Sequence, residues 1–408
     1  MKSRWQTKRL GELAELRGRI GWRGLTAKEY TKTGPLFLSV HSLNYGDYVD
    51  FRDAFHISEG RYTESPEIML ERDDVLICKD GAGIGKLGIV GELPDRTTIN
   101  SSLLMIRSGK SILPKFLYRC LTSPYFQDIV QSRLSGATTP HLYQRDITEF
   151  PIVLPPLPEQ QRIVGILDEA FYGLARATAN AEQNLQNARP LFESHLQFVF
   201  TQRGPGWVEK KLSELCHIKH GFAFDGEFFS NEGKYVLLTP GNFYEKGGYR
   251  DRREKQKYYT GEIPRDYVLN EGDLLVAMTE QAAGLLGSSI LVPESDKFLH
   301  NQRLGLVTKK PGVPWINEFF FHVFNTQAVR KAIHDSASGV KVRHTSPTKI
   351  CEVVVSFPTV ISEQRAIVST LKDLHAETQR LQSIYRQKLA ALSELKKSLL
   401  HQAFSGAL

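Results

Sequence analysis

Apolar residues recur at alternating steps of four and three along two long segments of the chain, which is the spacing of a heptad seam. In the segment 362–404 the seam runs through Ile367, Leu371, Leu374, Thr378, Leu381, Tyr385, Lys388, Leu392, Leu395 and Leu399. In the segment 158–200 it keeps the same phase through Ile163, Leu167, Ala170, Leu174, Ala177, Ala181, Asn184, Ala188 and Leu191. Both segments are therefore predicted to form long helices, each about 60 Å in length.

The ends of these helices carry sequence signals. Pro158 suits a first helical turn, where its missing N–H costs nothing, and Ser362 can cap the second helix. Pro190 lies inside the first segment and is expected to kink that helix or end it early. Because the first helix leads the chain away from one domain and the second leads it back, the two are predicted to pack as an antiparallel coiled coil.

The chain also repeats itself. "WQTKRLGEL" at 5–13 matches "WVEKKLSEL" at 207–215, and "EQQRIV" at 159–164 matches "EQRAIV" at 363–368. In each half, short apolar runs between glycine-rich loops predict an α+β globular domain ahead of the helix. We predict an internal pseudo-two-fold repeat of domain, helix, linker, domain and helix, with bounds 1–157, 158–200, 201–206, 207–358 and 359–408.

Composition narrows the class of protein. The 408 residues are 41% apolar and 24% charged, and the first residues lack the apolar core of a signal peptide. The four cysteines stand apart from one another, so neither zinc nor disulfides are predicted and a reducing cytoplasm is the expected location. The net charge of +7 is compatible with a polyanionic partner.

The sequence contains no complete catalytic motif. "KDGAGIGKLG" at 79–88 satisfies GxGxxG, but a strand-like stretch follows it where a dinucleotide fold needs a helix. The Walker pattern fails because Asp80 and Leu87 occupy the positions of its first glycine and its Ser or Thr. No amino-methyltransferase tetrapeptide, HExxH or GxSxG is present. A binding protein without catalytic, cofactor-binding or metal-binding residues is predicted.

The order of its motifs gives the chain a family resemblance. A globular domain, "LPPLPEQQRIV", "WVEKKLSEL", a second domain, "EQRAIV" and a terminal "LLHQAFSGAL" resemble the specificity subunit of type I restriction–modification systems over essentially the whole chain. The resemblance implies two target-recognition domains, at 1–157 and 207–358, each reading half of a bipartite asymmetric site in double-stranded DNA. It implies helices that space these domains and dock two methyltransferase (modification) subunits. S-adenosylmethionine, ATP and magnesium would bind in those partners and in separate restriction/translocase subunits.

Two other functions stay open from the residues alone. The chain could be a stand-alone duplicated DNA-binding regulator, or a rod-like adaptor that holds proteins at both ends. The equivalent loops differ between the halves while the helical junctions stay similar, which favours two readers of different targets on one repeated frame.

Candidate contacts follow from basic and aromatic residues that interleave in the loops, since Lys and Arg neutralise phosphates and Asn, Gln and Arg read base edges. In the first domain the predicted DNA contacts are Arg19, Trp22, Arg23, Lys79, Lys86 and Asn100. In the second they are Lys219, Phe224, Asn242, Tyr244, Gln281, Asn301 and Arg303. Apolar residues off the helical seam form the predicted partner surface: Ile166, Phe171, Leu185, Phe192 and Val199. The alternative for this stripe is that the adjoining domains cover it.

Overall fold

The computed structural model describes residues 5–19, 25–134, 141–280, 284–339 and 342–408, apart from the side chains of Ala82 and Arg133. The chain divides into two compact units, Met1–Gln183 with Arg386–Leu408, and Asn184–Tyr385. We call them unit one and unit two. Within the described residues, no helix has the length and apolar content needed to cross a membrane.

Unit one is a mixed domain of short strands with small helices. Its strands are β1 Gln6–Arg9, β2 Ala14–Gly18, β3 Thr31–Leu38, β4 Phe55–His56, β5 Val75–Cys78, β6 Leu87–Ile89, β7 Thr97–Ile99, β8 Leu103–Ser108 and β9 Pro151–Leu154. Its helices are α1 Leu10–Leu13, α2 Glu59–Thr63, α3 Pro114–Leu121, α4 Pro124–Leu134, α5 Gln144–Thr148 and α6 Leu157–Ala188, whose last turn extends into unit two. Two sheets, ordered β2-β8-β5-β6 and β4-β3-β7, are accompanied by the pair β1-β9.

Unit two repeats this arrangement. Its strands are β10 Trp207–Lys211, β11 Cys216–His220, β12 Phe229–Ser230, β13 Tyr235–Leu237, β14 Tyr258–Tyr259, β15 Leu274–Ala277, β16 Thr279–Glu280, β17 Ser289–Leu291, β18 Phe298–Leu299, β19 Leu304–Lys309, β20 Arg343–His344 and β21 Val354–Pro358. Its helices are α7 Leu191–Gln202, α8 Leu212–Leu215, α9 Asn317–Phe324, α10 Gln327–Asp335, α11 Pro347–Cys351 and α12 Ile361–Ser405, whose last turns belong to unit one.

The sheet topology shows the duplication directly. The order β11-β19-β15-β17 corresponds to β2-β8-β5-β6, and the pair β10-β21 corresponds to β1-β9. In each unit one strand pair is parallel, β3 with β7 and β13 with β18. The predicted α+β fold with two similar globular domains, long helices and an internal repeat is therefore confirmed.

Within each unit the long helices run antiparallel, as predicted. In unit one Ile163 and Leu167, near the start of α6, share a core with Leu400 and Ala403, near the end of α12. The Arg162 guanidinium donates a hydrogen bond to the carbonyl of Leu408, 2.9 Å away. In unit two Phe200, near the end of α7, and Ile367, near the start of α12, pack against one core.

The first long segment is two helices, because proline interrupts it. Helix α6 ends at Ala188, and α7 begins at Leu191 with Pro190 as its N-cap residue. The missing N–H and the ring of Pro190 prevent a continuous helix, so the expected break is confirmed. The heptad seam is also incomplete, since Leu191 and Leu395 are 46% and 48% exposed. Toward its end α12 buries Leu400 and Ala403 in the domain core instead, which moves its apolar contact off the seam.

A buried glutamine fastens each long helix to its domain. The side chain of Gln160, 0% exposed, donates to the carbonyls of Ser111 (3.0 Å) and Pro155 (2.8 Å) and accepts from the amide of Leu113 (2.8 Å). Its three partners come from the loop before α3 and from the end of β9. The joint is therefore fixed by one side-chain amide that uses both its donor and its acceptor groups.

Gln364 makes the same joint in unit two. It is 0% exposed, donates to the carbonyls of Pro314 and Pro358, both at 2.9 Å, and accepts from the amide of Ile316 at 3.1 Å. The repeated "EQ" of the sequence thus marks equal structural positions.

We expect Gln364→Ala to lower the free energy of unfolding of unit two by about 2 kcal/mol or more, because it leaves three buried backbone groups without partners. The measurement is urea unfolding followed by tryptophan fluorescence in a Trp5→Phe, Trp22→Phe background, which leaves Trp207 and Trp315 of unit two as the probes. Gln387→Ala, at an exposed position of the same helix, is the control and should change stability by less than about 0.5 kcal/mol. Equal effects of the two variants would contradict the assigned role of Gln364.

Candidate nucleic-acid interface

Several loops of unit one meet at one edge of its sheets. Strands β3 and β7 are parallel and β5 is antiparallel to β6 and β8, so the segments 39–44, 79–86 and 100–102 emerge on the same side. Backbone hydrogen bonds join them: the amide of Asn100 donates to Leu38, and the amide of Lys79 donates to Ser102. We call these segments the loop edge of unit one.

Unit two has an equivalent loop edge, formed by 238–244, 284–288 and 300–303. The amide of Met278 donates to the carbonyl of Arg303 at 3.0 Å, as that of Lys79 does to Ser102 at 2.8 Å. The amides of Gly85 and Gly287 donate to the residues that end β5 and β15, Cys78 and Ala277, at 2.9 and 2.8 Å. Both glycines have positive φ, +85° and +76°, which favours residues without a Cβ.

The repeated bonds pair residues of the two loop edges. The amides of Leu142 and Thr345 donate to Lys79 and Met278, each at 2.9 Å, which makes His141 the counterpart of His344. The equal turns that follow match Asn100 with Asn301 and Ser102 with Arg303. Gly85 and Gly287 make the same backbone hydrogen bond, so the residues that follow them, Lys86 and Ser288, correspond to each other. The amide of Asp50 donates to the carbonyl of Ser42, and the amide of Arg250 donates to that of Asn242. The residues two positions after these acceptors, Asn44 and Tyr244, therefore correspond to each other.

Three of the contacts predicted in unit one come together at its loop edge. Lys86 is exposed, and its Nζ donates to the Oδ1 of Asn44 at 2.7 Å. The side chain of Lys79 is 17% exposed, and its Nζ lies 4.0 Å from a carboxylate oxygen of Asp80. The Oδ1 of Asn100 accepts from the amide of Ser102 at 3.1 Å and thereby holds the turn between β7 and β8.

Arg19 is the exception in unit one. It is 2% exposed, its Nε donates to the carbonyl of Ile99 at 3.1 Å, and its guanidinium lies 5.6 Å from the ring centroid of Phe37. Arg19 therefore braces the interior, and the expected DNA contact is corrected to a structural role. Trp22 and Arg23 lie outside the described residues.

In unit two Arg303 and Tyr244 are the predicted contacts that face outward, with Tyr244 52% exposed. Lys219 is also exposed, but its Nζ donates to the carbonyl of Asp266 at 3.0 Å and lies 4.3 Å from the ring centroid of Tyr267. Gln281 falls outside the described residues.

The other predicted contacts of unit two are largely enclosed. Phe224, Asn242 and Asn301 are 7%, 1% and 7% exposed. Phe224 packs in an aromatic cluster, 4.7 Å from the ring centroid of Tyr259. Asn301 holds its turn as Asn100 does, because its Oδ1 accepts from the amide of Arg303 at 3.0 Å. Phe224 and Asn242 are therefore corrected to structural roles.

Two side chains that the sequence analysis missed hold the loop 284–286. The carboxylate of Glu280, 4% exposed, accepts from the amides of Gly284, Leu285 and Leu286 at 2.9–3.0 Å. Arg330 on α10 donates to the carbonyls of Leu286 at 3.0 Å and of Gly284. The loop is thus held through its amides by an anion and through its carbonyls by a cation.

Arg330 joins two loops of unit two, and its counterpart in unit one joins a loop to the end of helix α3. Arg330 also donates to the carbonyl of Glu245, 2.8 Å away, and so ties the loop 284–286 to the end of the loop 238–244. In unit one Gln127 on α4 has the equivalent position and donates to the carbonyls of Gly85 (3.1 Å) and Leu121 (2.9 Å). The sequence signal for this pair is only a shared place in the second short helix of each repeat.

A groove of about 440 Å³ opens beside the loop edge of unit two. Its lining residues are His220, Met278, Thr279, Gln302, Arg303, Val342, His344 and Thr345. The groove combines a guanidinium, two imidazoles and an amide, which can donate hydrogen bonds to phosphate oxygens or base edges. No cluster of His, Cys, Asp or Glu suited to a metal ion occurs in the described part of the chain.

Comparison with known families supports this interpretation of the fold. The family model of the type I restriction modification DNA specificity domain matches twice, at residues 2–185 and 205–387. The chain belongs to this family. The specificity-subunit resemblance is therefore confirmed, and members of this family are generally non-catalytic DNA-recognition subunits.

Individual relatives agree with the family match. The type I restriction enzyme MjaVIII specificity subunit of Methanocaldococcus jannaschii is 22% identical over 356 residues, 83% of this chain and 80% of that protein. The EcoBI specificity subunit of Escherichia coli is 26% identical over 202 residues, 50% of this chain and 39% of that protein.

Two solved structures share the fold of this specificity-family chain. The HsdS subunit of Thermoanaerobacter tengcongensis has a TM-score of 0.66 at 17% identity, covering 100% of this chain and 98% of that one. A chain from a type I R-M system, solved for its complex assembly and conformational transition, has a TM-score of 0.73 at 18% identity, covering 99% and 98%.

Buried histidines make unit two of this specificity protein sensitive to acid. Burial lowers the pKa of His300, beside the turn of Asn301, from 6.5 to about 4, and burial lowers that of His322 equally. Because the folded state binds these protons less well than the unfolded chain, the stability is fully present above about pH 6.5. It is lost as the pH falls toward 4.

We expect His300→Gln to reduce the loss of unfolding free energy between pH 7 and pH 5, since one of the two buried imidazoles is removed. Chemical unfolding at the two pH values measures the difference. His217→Gln, at an exposed position of the same unit, should keep the full pH dependence of the wild type. A His300→Gln variant as acid-sensitive as the wild type would rule out this cause.

Proposed function

We propose that each unit reads one half of a bipartite, asymmetric DNA site with its loop edge. The observation that carries the proposal is the pairing of two equal backbone frames with unequal side chains. Lys86 is exposed where unit two has the buried Ser288, and Ser102 stands where it has the exposed Arg303. A reader needs a fixed backbone and variable polar groups, and two different sets of groups fit two different half-sites.

The chemistry of these side chains suits them to different contacts, with a phosphate or with a base edge. Lys86 is a point charge suited to a phosphate oxygen, whereas the fork of Arg303 can bind the edge of a guanine through two hydrogen bonds. Asn100 and Asn301 set the turn from which neighbouring side chains project. Among the predicted contacts that the structure describes, we therefore retain Lys79 and Lys86 in unit one, and Tyr244 and Arg303 in unit two. Trp22, Arg23 and Gln281 stay predictions.

The proposed assembly includes two methyltransferase subunits docked on α6, α7 and α12, with restriction/translocase subunits in the full complex. S-adenosylmethionine, ATP and magnesium would bind in those partners. The complex would act in the cytoplasm, on double-stranded DNA. Exposed aromatic residues support the docking, since Tyr172 and Phe198 are 68% and 58% exposed on α6 and α7.

The structure changes the partner surface predicted from the sequence, because other side chains cover part of it. Phe171 is 8% exposed and lies against Arg119 and Lys396, with ring-to-cation distances of 4.7 and 5.1 Å. Phe192 packs 4.9 Å from the ring centroid of His375. Phe171 is therefore covered within its own unit and leaves the proposed surface, whereas Phe192 is half-buried and stays in it. Ile166, Leu185 and Val199 are half-buried and stay in the proposed surface with Tyr172 and Phe198.

We expect Arg303→Ala to relax the requirement at one base position in the half-site read by unit two, by about 1–3 kcal/mol, and to leave the other half-site unchanged. Lys86→Ala should weaken binding to all sequences alike, because a phosphate contact carries no base information. The measurement is a map of methylated sites made by each variant with co-expressed methyltransferase subunits. A changed requirement in both half-sites with Arg303→Ala would refute independent reading.

The double variant Tyr172→Ser with Phe198→Ser should reduce the yield of assembled complex at equal expression, because it removes exposed apolar area from the helices. Affinity co-purification with the methyltransferase subunits provides the measurement. Tyr125→Ser, which removes a 57%-exposed ring from the domain helix α4, is the control. Unimpaired assembly of the double variant would exclude these two rings from the docking surface.

A further inference from the structure

The segment 250–257 of unit two is a basic arm that lies at the loop edge. The amide of Arg250 donates to the carbonyl of Asn242 at 2.7 Å, and the amide of Leu237 donates to the carbonyl of Lys257 at 2.9 Å. Because Leu237 ends β13 at the loop edge and β14 runs antiparallel to it, the arm enters β14 from that same edge.

Two buried amide side chains attach the arm to the loop 238–244. Asn242 and Gln256 are 1% and 3% exposed, and the Nδ2 of Asn242 donates to the Oε1 of Gln256 at 3.0 Å. The amide of Arg252 also donates to that Oε1, at 3.3 Å. Arg252 itself packs closely on Gly241, where a Cβ would lie 3.0 Å from its Nη1. The backbone of the arm is therefore fixed to the loop that carries Tyr244.

The arm directs its charges outward. Four of its cations are exposed, Arg250, Arg253, Lys255 and Lys257, and Arg252 is half-buried. Five cations against two carboxylates give the arm a net charge of +3. In the described part of the chain none of these five cations forms a salt bridge, although other surface cations do, such as Lys297 with Glu294 at 2.6 Å.

Unit one lacks such an arm. Its equivalent segment, 50–55, contains Asp50, Arg52 and Asp53, and the guanidinium of Arg52 is paired with the carboxylate of Asp50 at 2.8 Å. The hydroxyl of Tyr45 donates to Asp53 at 2.5 Å. The same place on the repeated frame is thus slightly acidic and internally paired in unit one. In unit two it is strongly basic and makes no salt bridge among the described residues, although Lys257 lies 5.4 Å from the ring centroid of Phe229.

We propose that the basic arm binds the phosphates of duplex DNA beside the half-site of unit two, as a contact that does not depend on base sequence. The inference rests on the proposed DNA reading by the loop edges. A loop edge that reaches base edges has the sugar–phosphate strands on both sides of it, and the arm is attached directly beside Asn242 and Tyr244. Unpaired lysines and arginines at that place neutralise phosphates and release counterions. The arm therefore gives unit two a group of phosphate contacts that unit one does not have at the equivalent place.

The test is the salt dependence of DNA binding by the full complex with its methyltransferase subunits. The variant replaces Arg250, Arg253, Lys255 and Lys257 with serine, and the probe is a short duplex carrying a site that the wild-type complex methylates. Each lost phosphate contact lowers the slope of log affinity against log salt by about 0.9, so a decrease of about 2–4 is expected. The set of methylated sequences should not change, because phosphate contacts carry no base information.

Two further variants sharpen the measurement. Lys210→Ser with Lys309→Ser removes exposed cations from the opposite end of the unit-two strands, where β11 begins, and should leave the slope unchanged. Arg250→Lys with Arg253→Lys keeps the charges and should retain most of the wild-type slope, since a phosphate does not require the guanidinium fork.

Different outcomes would contradict the proposed role of the arm and the proposed DNA reading by the loop edges. An unchanged slope in the four-serine variant, or an altered half-site sequence in its methylation map, would overturn the arm as a phosphate contact. An unchanged slope with reduced recovery of methyltransferase would assign it to a protein partner and overturn it equally. A wild-type complex that binds the methylated-site duplex no better than a scrambled one would remove the proposed reading itself.

Discussion

The direction in which each long helix leaves its domain depends on one buried side-chain amide. The segments that Gln160 and Gln364 contact are rich in proline, and a proline offers a carbonyl but no N–H. Carbonyls such as those of Pro155 and Pro358 therefore need donors from elsewhere, and the glutamine supplies them. The closing strand, the loop before the domain helix and the first helical turn are joined at this one point in both units.

In the loop edges, the residues that hold the loops in shape differ from the residues that face outward. Their shape is held by backbone hydrogen bonds and by polar side chains such as those of Gln127, Glu280 and Arg330. The supporting groups differ between the units: a side-chain amide in unit one, and a carboxylate and a guanidinium in unit two. The frame is nevertheless the same, because what it requires is a partner for each loop carbonyl and amide, and several side chains can provide one.

The sequence predicted much of the architecture because its strongest signals are periodic or repeated. The heptad spacing predicted both long helices, Pro190 predicted their interruption, and the duplicated motifs predicted two similar domains. The prediction that Leu395 is buried in the heptad seam was wrong. Periodicity alone does not show where a helix packs on a domain core and no longer on a partner helix.

Individual side chains in the loops were harder to predict. Loop sequences have no period that separates inward from outward positions, so a buried Arg19 or Asn242 resembles an exposed one in the sequence. The two joint glutamines were visible in the repeated motif, but their hydrogen bonds depend on segments about fifty residues away in the chain. Only the folded topology brings those backbone groups to the helix.

This division between structural and outward-facing residues also affects how the sequence of such a protein can evolve. Lysine and serine occupy the matched positions 86 and 288, and serine and arginine occupy 102 and 303, on backbones joined by the same hydrogen bonds. Ser288 is buried and donates to the carbonyl of Tyr244, whereas Lys86 and Arg303 are exposed, so substitutions at these two positions alter the chemistry offered to a ligand with little effect on folding. A lineage can therefore accumulate variation there while the glutamine joints and the loop supports stay under constraint, so that new binding preferences can arise without passing through unstable intermediates.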